Sequence, residues 1–261
     1  EYNSVKIDGG LYSLGYSSDQ FCYDIELPEH KVYLNDYKID VYPITNRQYI
    51  EFIEDGGYAD FHYWLSDGWE KIENEGWNAP MYWEKVEDQW MTCDFLGRRK
   101  INPNEPVCHV SFYEADAYCK WAGKRLPTEA EWEKAACWNE KSQSKSIFPW
   151  GNESPDTRHA NLLESYLWNC TEIGAYPEGK SHYGCHQMIG DVWEWTSSEF
   201  TGYPGFKTGF SEYNDKWFAN QKVLRGGSFG TPSSSIRSSY RNFFRLDERW
   251  LFSGFRCAED I

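Results

Sequence analysis

The sequence predicts an α+β fold with low regular secondary structure and many long loops, carried by one domain over residues 1–261. Three observations predict it. Three short helices carry their own start and stop signals, the strand-like runs are only a few residues long, and the segments between them are rich in Gly, Trp, Asn and Pro. Long irregular segments are uncommon in ordinary α/β units and usually carry function. No internal repeat and no Pro/Ser-rich linker interrupts the chain, and its length allows a sizeable core.

The first helix is expected over Asn46–Glu54, capped by Thr45 and stopped by Gly56-Gly57, with Tyr49, Ile50 and Ile53 on one face. Ser111 and Glu114 form a capping box before Ala115, Tyr118, Cys119 and Ala122, and Gly123 ends that helix. Thr128 and Glu131 form another, opening Glu129–Cys137 after Leu126-Pro127. Strands are expected at Val5–Ile7, Tyr33–Val41, Val223–Gly227 and Gly254–Ala258. The last two hold between them a polar and aromatic stretch with little apolar periodicity, the arrangement in which a rigid scaffold presents a binding loop.

Composition narrows the function classes. Aromatic residues make up 18%, with 14 Trp and 19 Tyr, beyond what a disordered or linker chain carries. A net charge of −15 argues against nucleic-acid backbones, which need basic patches. No run of 18 apolar residues is present, so no membrane span is expected. The start, Glu1-Tyr2-Asn3-Ser4-Val5, has no basic or apolar leader and no Met, which reads as a fragment or a processed chain. Eight cysteines (22, 93, 108, 119, 137, 170, 185, 257) form no C-x-x-C pair, so zinc-site spacing is absent and reduced thiols in a cytoplasmic protein are expected.

The string Pro106-Val107-Cys108-His109-Val110-Ser111, then Trp121-Ala122-Gly123-Lys124-Arg125-Leu126-Pro127-Thr128-Glu129-Ala130-Glu131-Trp132-Glu133, leads to three further elements. These are Phe148-Pro149-Trp150-Gly151-Asn152, Gly190-Asp191-Val192-Trp193-Glu194-Trp195 and Arg225-Gly226-Gly227-Ser228. Together they resemble the formylglycine-generating-enzyme (sulfatase-modifying factor) superfamily over nearly the whole chain. The resemblance implies a C-type-lectin-like fold of the formylglycine-generating-enzyme type. Members that make formylglycine hold copper on a cysteine pair after Arg-Gly-Gly-Ser. Here that region runs Phe229 to Tyr240 without cysteine, and no cysteine lies between Cys185 and Cys257. Soft Cu(I) chemistry needs thiolates, which argues against formylglycine generation.

Val41-Tyr42-Pro43-Ile44-Thr45-Asn46, Phe52-Ile53-Glu54-Asp55-Gly56-Gly57-Tyr58, Pro80-Met81-Tyr82-Trp83 and Tyr203-Pro204-Gly205-Phe206 carry a narrower resemblance. It is to the C-terminal domain of ergothioneine-biosynthesis sulfoxide synthases, the EgtB family. Arg241-Asn242-Phe243-Phe244 with Phe252-Ser253-Gly254-Phe255-Arg256 looks like the branch that takes free cysteine. The resemblance implies joining of cysteine to trimethylhistidine with iron(II) and oxygen. The iron is expected on an N-terminal DinB-like helical domain absent from this chain, in cis or in trans, so that the chain alone is expected to be inactive. Sulfur and selenium donors are both left open.

The substrate-binding candidates are Asn242, Phe243, Phe244 and Arg241. A ring face attracts a quaternary ammonium by about 0.5–2 kcal/mol; Asn242 offers an amide donor, and Arg241 a partner for a carboxylate. Adjacent residues of a strand point to opposite sides, so one of the two phenylalanines is also expected in the core. The tyrosine that some members hold over the iron aligns with Ser211 here and leaves the proton donor unassigned. The family also implies structural calcium near Asp191 and Glu194, with plain hydrogen bonding to the loop as the alternative. His182 and His186 stand i,i+4 across Gly184 and read as loop residues, His109 as a packed histidine, and Trp193 and Trp195 as core. Glu129, Glu131 and Glu133 read as the charged face of a capped helix. The alternative function is a stand-alone binding module, since variable proteins of diversity-generating retroelements share this fold; the Ser233–Phe244 run would suit a paratope.

Overall fold

In the computed structural model, residues 3–209 and 214–261 are described. Among them, four α-helices form: α1 (Asn46–Glu54), α2 (Ser66–Glu75), α3 (Phe112–Trp121) and α4 (Glu129–Cys137). The strands of the N-terminal half are β1 (Ser4–Ile7), β2 (Gly10–Leu14), β3 (His30–Leu34), β4 (Tyr37–Asp40), β5 (Trp83–Val86), β6 (Gln89–Asp94) and β7 (Gly97–Lys100). Those that follow are β8 (Trp138–Asn139), β9 (Ser144–Lys145), β10 (Trp193–Glu199), β11 (Gln221–Arg225), β12 (Asn242–Arg245), β13 (Ser253–Gly254) and β14 (Ala258–Asp260).

The capping signals act as expected. Thr45, Ser111 and Thr128 each accept an N–H from the third residue of their helix, and Gln48, Glu114 and Glu131 return to the cap backbone. Two orphan donors are satisfied at each start, which sets the first turn without help from packing. The buried face of α1 differs from expectation: Tyr49 and Phe52 are buried, whereas Ile50 and Ile53 are half-buried. Two predicted strands are divided. Tyr33–Val41 breaks at Asn35-Asp36 into β3 and β4, and Gly254–Ala258 gives the ends of β13 and β14 on either side of an irregular stretch. Helix α2 and the meander β5-β6-β7 were not expected; their polar, exposed strands carry little apolar alternation.

The sheet that matters for the site has the order β12-β11-β10-β13, with β13 parallel to β10 and the other pairs antiparallel. Strand β12 is one edge of it, with no further strand paired to it among the described residues. A second sheet, β1-β4-β14, brings the C-terminal strand beside the N-terminal one through β4. Gly226 turns the chain out of β11 with φ +94°, and a Cβ there would meet the Met188 carbonyl oxygen at 2.4 Å. Only glycine tolerates both demands.

Between α4 and this sheet the core is ionic as well as aromatic. Arg225, Arg241 and Arg256 are among the largest fully buried side chains, beside Trp132 and Trp195. The expectation that Glu129, Glu131 and Glu133 form a solvated charged face is overturned, since all three are buried. Glu129 meets Arg225 at 3.0 Å and Arg241 at 2.9 Å, Glu133 meets Arg225 at 3.1 Å and Lys145 at 2.7 Å, and Glu131 meets Arg125 at 2.7 Å. The reason is mainly long-range: Arg225 and Arg241 lie 92 to 112 positions from the glutamates they meet, so the helix looks polar until the sheet folds onto it.

Removing one partner of such a pair leaves a charge stranded in the interior. Arg225→Met is therefore expected to destabilise the fold by about 3–5 kcal/mol, read as a lower urea midpoint; a midpoint equal to wild type would refute this role for the pair.

Candidate functional site

Strand β12 begins one residue after Arg241, and that residue sets its position. The Arg241 guanidinium donates Nε to Glu129 Oε2 at 2.9 Å, Nη2 to Glu129 Oε1 at 3.0 Å and Nη1 to the Ile25 carbonyl at 2.9 Å. It lies 4.0 Å from the centre of the Tyr203 ring. Arg241 is 1% exposed and each of its three side-chain nitrogens already donates within the fold, so the expectation that it pairs with a substrate carboxylate is corrected: it braces the wall from behind. Burial pushes the Glu129 carboxyl up, but Arg241 and Arg225 outweigh it and hold the group below its ordinary value of 4.5.

Beyond Arg241, β12 pairs with β11 in the register Leu224↔Asn242, Val223↔Phe243, Lys222↔Phe244 and Gln221↔Arg245. The Phe243 ring stacks on buried Phe200 with centroids 3.9 Å apart. Phe244 packs toward the main core and meets Trp250 edge-on at 5.4 Å. The two rings thus take opposite sides of the strand, yet both border one cavity of about 530 Å³ that wraps the free edge of β12. Asn242 Oδ1 accepts the Phe243 N–H at 2.9 Å, and no acceptor among the described residues meets its amide NH2.

Six rings line this cavity: Tyr23, Trp217, Tyr240, Phe243, Phe244 and Trp250. Tyr23 and Tyr240 meet edge-on at 5.1 Å. Trp217 and Trp250 are 41% and 53% exposed, large apolar surfaces left open at the mouth. Asp24, Arg245 and Glu248 supply charge. Asp24 accepts the Gly209 N–H at 2.7 Å, and Glu248 accepts the Trp250 indole N–H at 2.5 Å. Sequence reading found Asn242, Phe243 and Phe244 but missed Tyr23, Asp24, Trp217, Glu248 and Trp250. They come from three separate segments, and only the surplus of tryptophans hinted at them. Ser211 lies outside the described residues.

Asp191 and Glu194 stand elsewhere, and neither fits a calcium ion. Asp191 is 1% exposed and accepts from Asn161 Nδ2 at 2.9 Å, the Thr171 N–H at 2.7 Å and Gln187 Nε2 at 2.7 Å. Glu194 accepts Arg256 Nε at 2.7 Å and Nη2 at 2.8 Å, and the Trp132 indole N–H at 2.8 Å. Donors occupy the oxygens that calcium would need, and Glu194 already carries the Arg256 guanidinium; the hydrogen-bonding alternative describes both residues. His182 lies beside Asn139, whereas His186 stacks on Tyr42 at 4.8 Å, and no helix carries them. Among the described residues no group of three His, Cys, Asp or Glu side chains could hold a metal, so the residues present do not fit iron either.

Comparison with known proteins settles the family. A model of the sulfatase-modifying factor enzyme 1-like domain matches residues 1–261. The chain belongs to this family. The domain is 40% identical over 266 residues to a hercynine oxygenase from Mycolicibacterium smegmatis, covering 99% of this chain and 61% of that protein. It thus spans about three fifths of that relative's length. The formylglycine-generating enzyme of Mus musculus is 29% identical, covering 98% of this chain and 74% of the enzyme. Among solved structures, a variable protein of Treponema denticola superposes with a TM-score of 0.69 at 18% identity, covering 98% of this chain and 94% of the other. PvdO from Pseudomonas aeruginosa gives 0.67 at 20% identity, covering 99% and 94%. These neighbours share the C-type-lectin-like, formylglycine-generating-enzyme-type fold. No helix among the described residues is long and apolar enough to cross a membrane.

The Glu129 pair makes a pH prediction. Because the folded pKa lies below the ordinary 4.5, the group contributes stability that is present above the unfolded pKa and is lost as pH falls through the folded one. Glu129→Gln is expected to be less stable than wild type near neutrality, with the gap closing below about pH 4.5. Denaturation midpoints measured across pH test this, and a gap that stays constant into acid would contradict it.

Proposed function

We propose that this domain is the substrate-binding half of an ergothioneine-type sulfoxide synthase. In this reading it holds hercynine, the trimethylammonium betaine of histidine, for joining to the sulfur of cysteine. The observation that carries the reading is the cavity at the β12 edge. Six rings border a space with room for a small zwitterion, with the Asn242 NH2 unclaimed beside them. A trimethylammonium group cannot donate hydrogen bonds and is costly to desolvate beside aliphatic carbon. Aromatic faces attract it through their quadrupole, and Asp24 and Glu248 at the same cavity favour a cation further. The 40% identity to a hercynine oxygenase supports the choice of ligand.

The reading needs iron(II) from outside the chain, on a histidine-bearing DinB-like domain in cis or in trans, and oxygen chemistry is what that metal would supply. The residues of this chain bind, orient and exclude water. Phe243 and Phe244 flank the edge, Arg241 keeps the strand in register from behind, and the open tryptophans at the mouth offer a face for the metal-bearing domain. The Asn242-Phe243-Phe244 triplet is similar to that of the branch that takes free cysteine, which makes cysteine the sulfur donor in this reading. Formylglycine generation is disfavoured because the stretch after Arg225-Gly226-Gly227-Ser228 has no cysteine.

Calorimetric titration of the chain with hercynine tests the binding half. Phe244→Ala and Trp250→Ala should each weaken binding by about 0.5–2 kcal/mol; the exposed Trp250 variant should keep a urea midpoint close to wild type, whereas Phe244→Ala should also lower it because that ring packs on the core. No heat of binding with the wild-type chain would remove the reading. The catalytic half is tested aerobically, with the full-length protein, iron(II), cysteine and hercynine: sulfoxide should form as oxygen is consumed, and oxygen left unused would count against it.

A further inference from the structure

The eleven arginines of the chain are used almost without exception. Arg125, Arg225, Arg237, Arg241, Arg249 and Arg256 hold buried carboxylates, and Arg98, Arg99 and Arg158 hold acids nearer the surface. Arg47 donates to Asn104 Oδ1 at 3.0 Å. Arg245 alone among the described residues has a guanidinium with no hydrogen-bonded or ion-paired partner. It ends β12 and lines the ring-bordered cavity. In a chain with 41 acidic side chains, a guanidinium left unpaired at a pocket is unusual and is free to meet an anion.

We propose that Arg245 is the carboxylate anchor of this pocket: it binds the carboxylate of a small zwitterion whose cationic end lies among the rings. The inference rests on the reading of the pocket as a betaine site and adds the residue that fixes the ligand's direction. The chemistry is that of a planar fork of donors matched to the two oxygens of a carboxylate, which a neutral amide such as Asn242 cannot reproduce. Strand alternation puts Arg245 on the same side of β12 as Phe243, and Gln221 faces it across the ladder. Nearby acids do not compete for it. Asp247 is taken by Lys71 at 2.8 Å, and Glu248 accepts the Trp250 indole. Beside its rings the pocket thereby carries both signs of charge, with Asp24 and Glu248 as its negative groups and Arg245 as its unpaired positive one. A ligand with only the ammonium leaves Arg245 unsatisfied, and one with only the carboxylate leaves the rings without a cation.

The test is a cycle of two ligands against wild type and variants of residue 245, read by calorimetric titration of the chain. The probes are hercynine and its decarboxylated analogue, which keeps the trimethylammonium and imidazole groups. Wild type should lose on the order of tenfold to a hundredfold in affinity when the carboxylate is removed. Arg245→Gln should lose the same factor for hercynine and nothing further for the analogue, and Arg245→Lys should recover part of it. Arg245 is exposed, so the variants should keep the wild-type urea midpoint. If wild type binds both probes equally, or Arg245→Gln binds hercynine like wild type, Arg245 is not the anchor while the betaine reading stands. If wild type binds neither probe, the betaine reading falls and the anchor falls with it.

Discussion

The Glu129 carboxylate, shared between Arg225 and Arg241, is the interaction on which the site depends. Glu129 opens α4, Arg225 ends β11, and Arg241 immediately precedes β12. One buried anion therefore ties a helix start to two neighbouring strands at the point where the edge strand leaves its loop. The helix start adds its own attraction for negative charge. The residues of the candidate site on β12 follow directly from that clamp, and the ladder to β11 carries their register onward.

Buried ion pairs are poor sources of net stability, because desolvation opposes the attraction. Their value here is in selecting one arrangement. Glu26 with Arg237 and Ser239, Glu194 with Arg256 and Trp132, and Glu133 with Arg225, Lys145 and Tyr12 each join segments far apart in sequence. A chain with so little regular structure cannot rely on long ladders to align its loops. Directional charge-assisted hydrogen bonds do that instead. The same logic accounts for Asp191 and Glu194: acids that look like metal ligands in the sequence serve as acceptors that organise the loops around them.

A fold built this way separates its scaffold from its working edge. The clamp and the aromatic core lie behind the β10–β11 pair, while β12 faces outward with half-buried rings, an unclaimed amide and an unpaired guanidinium. The fold alone names no chemistry, since its neighbours carry unrelated names. What distinguishes this chain is the content of that edge and the segments from residues 23–25, 217 and 248–250 that close around it.

Local chemistry was legible in the sequence. The starts of α1, α3 and α4 could be read because a capping box acts within four residues, and Asn242-Phe243-Phe244 could be placed because the motif is contiguous. Helix α2, begun at Leu65 without a side-chain cap, and the exposed meander offered no such signal. Tertiary structure alone decided what the charged residues do. Arg241 looked free for a ligand and Glu129 looked solvated until folding brought them to 2.9 Å across 112 positions of chain. It also decided that Arg245, four residues on, is the guanidinium left over. A sequence displays which charges exist, but whether one is spent on the fold or kept for a ligand depends on which distant partner packing delivers to it.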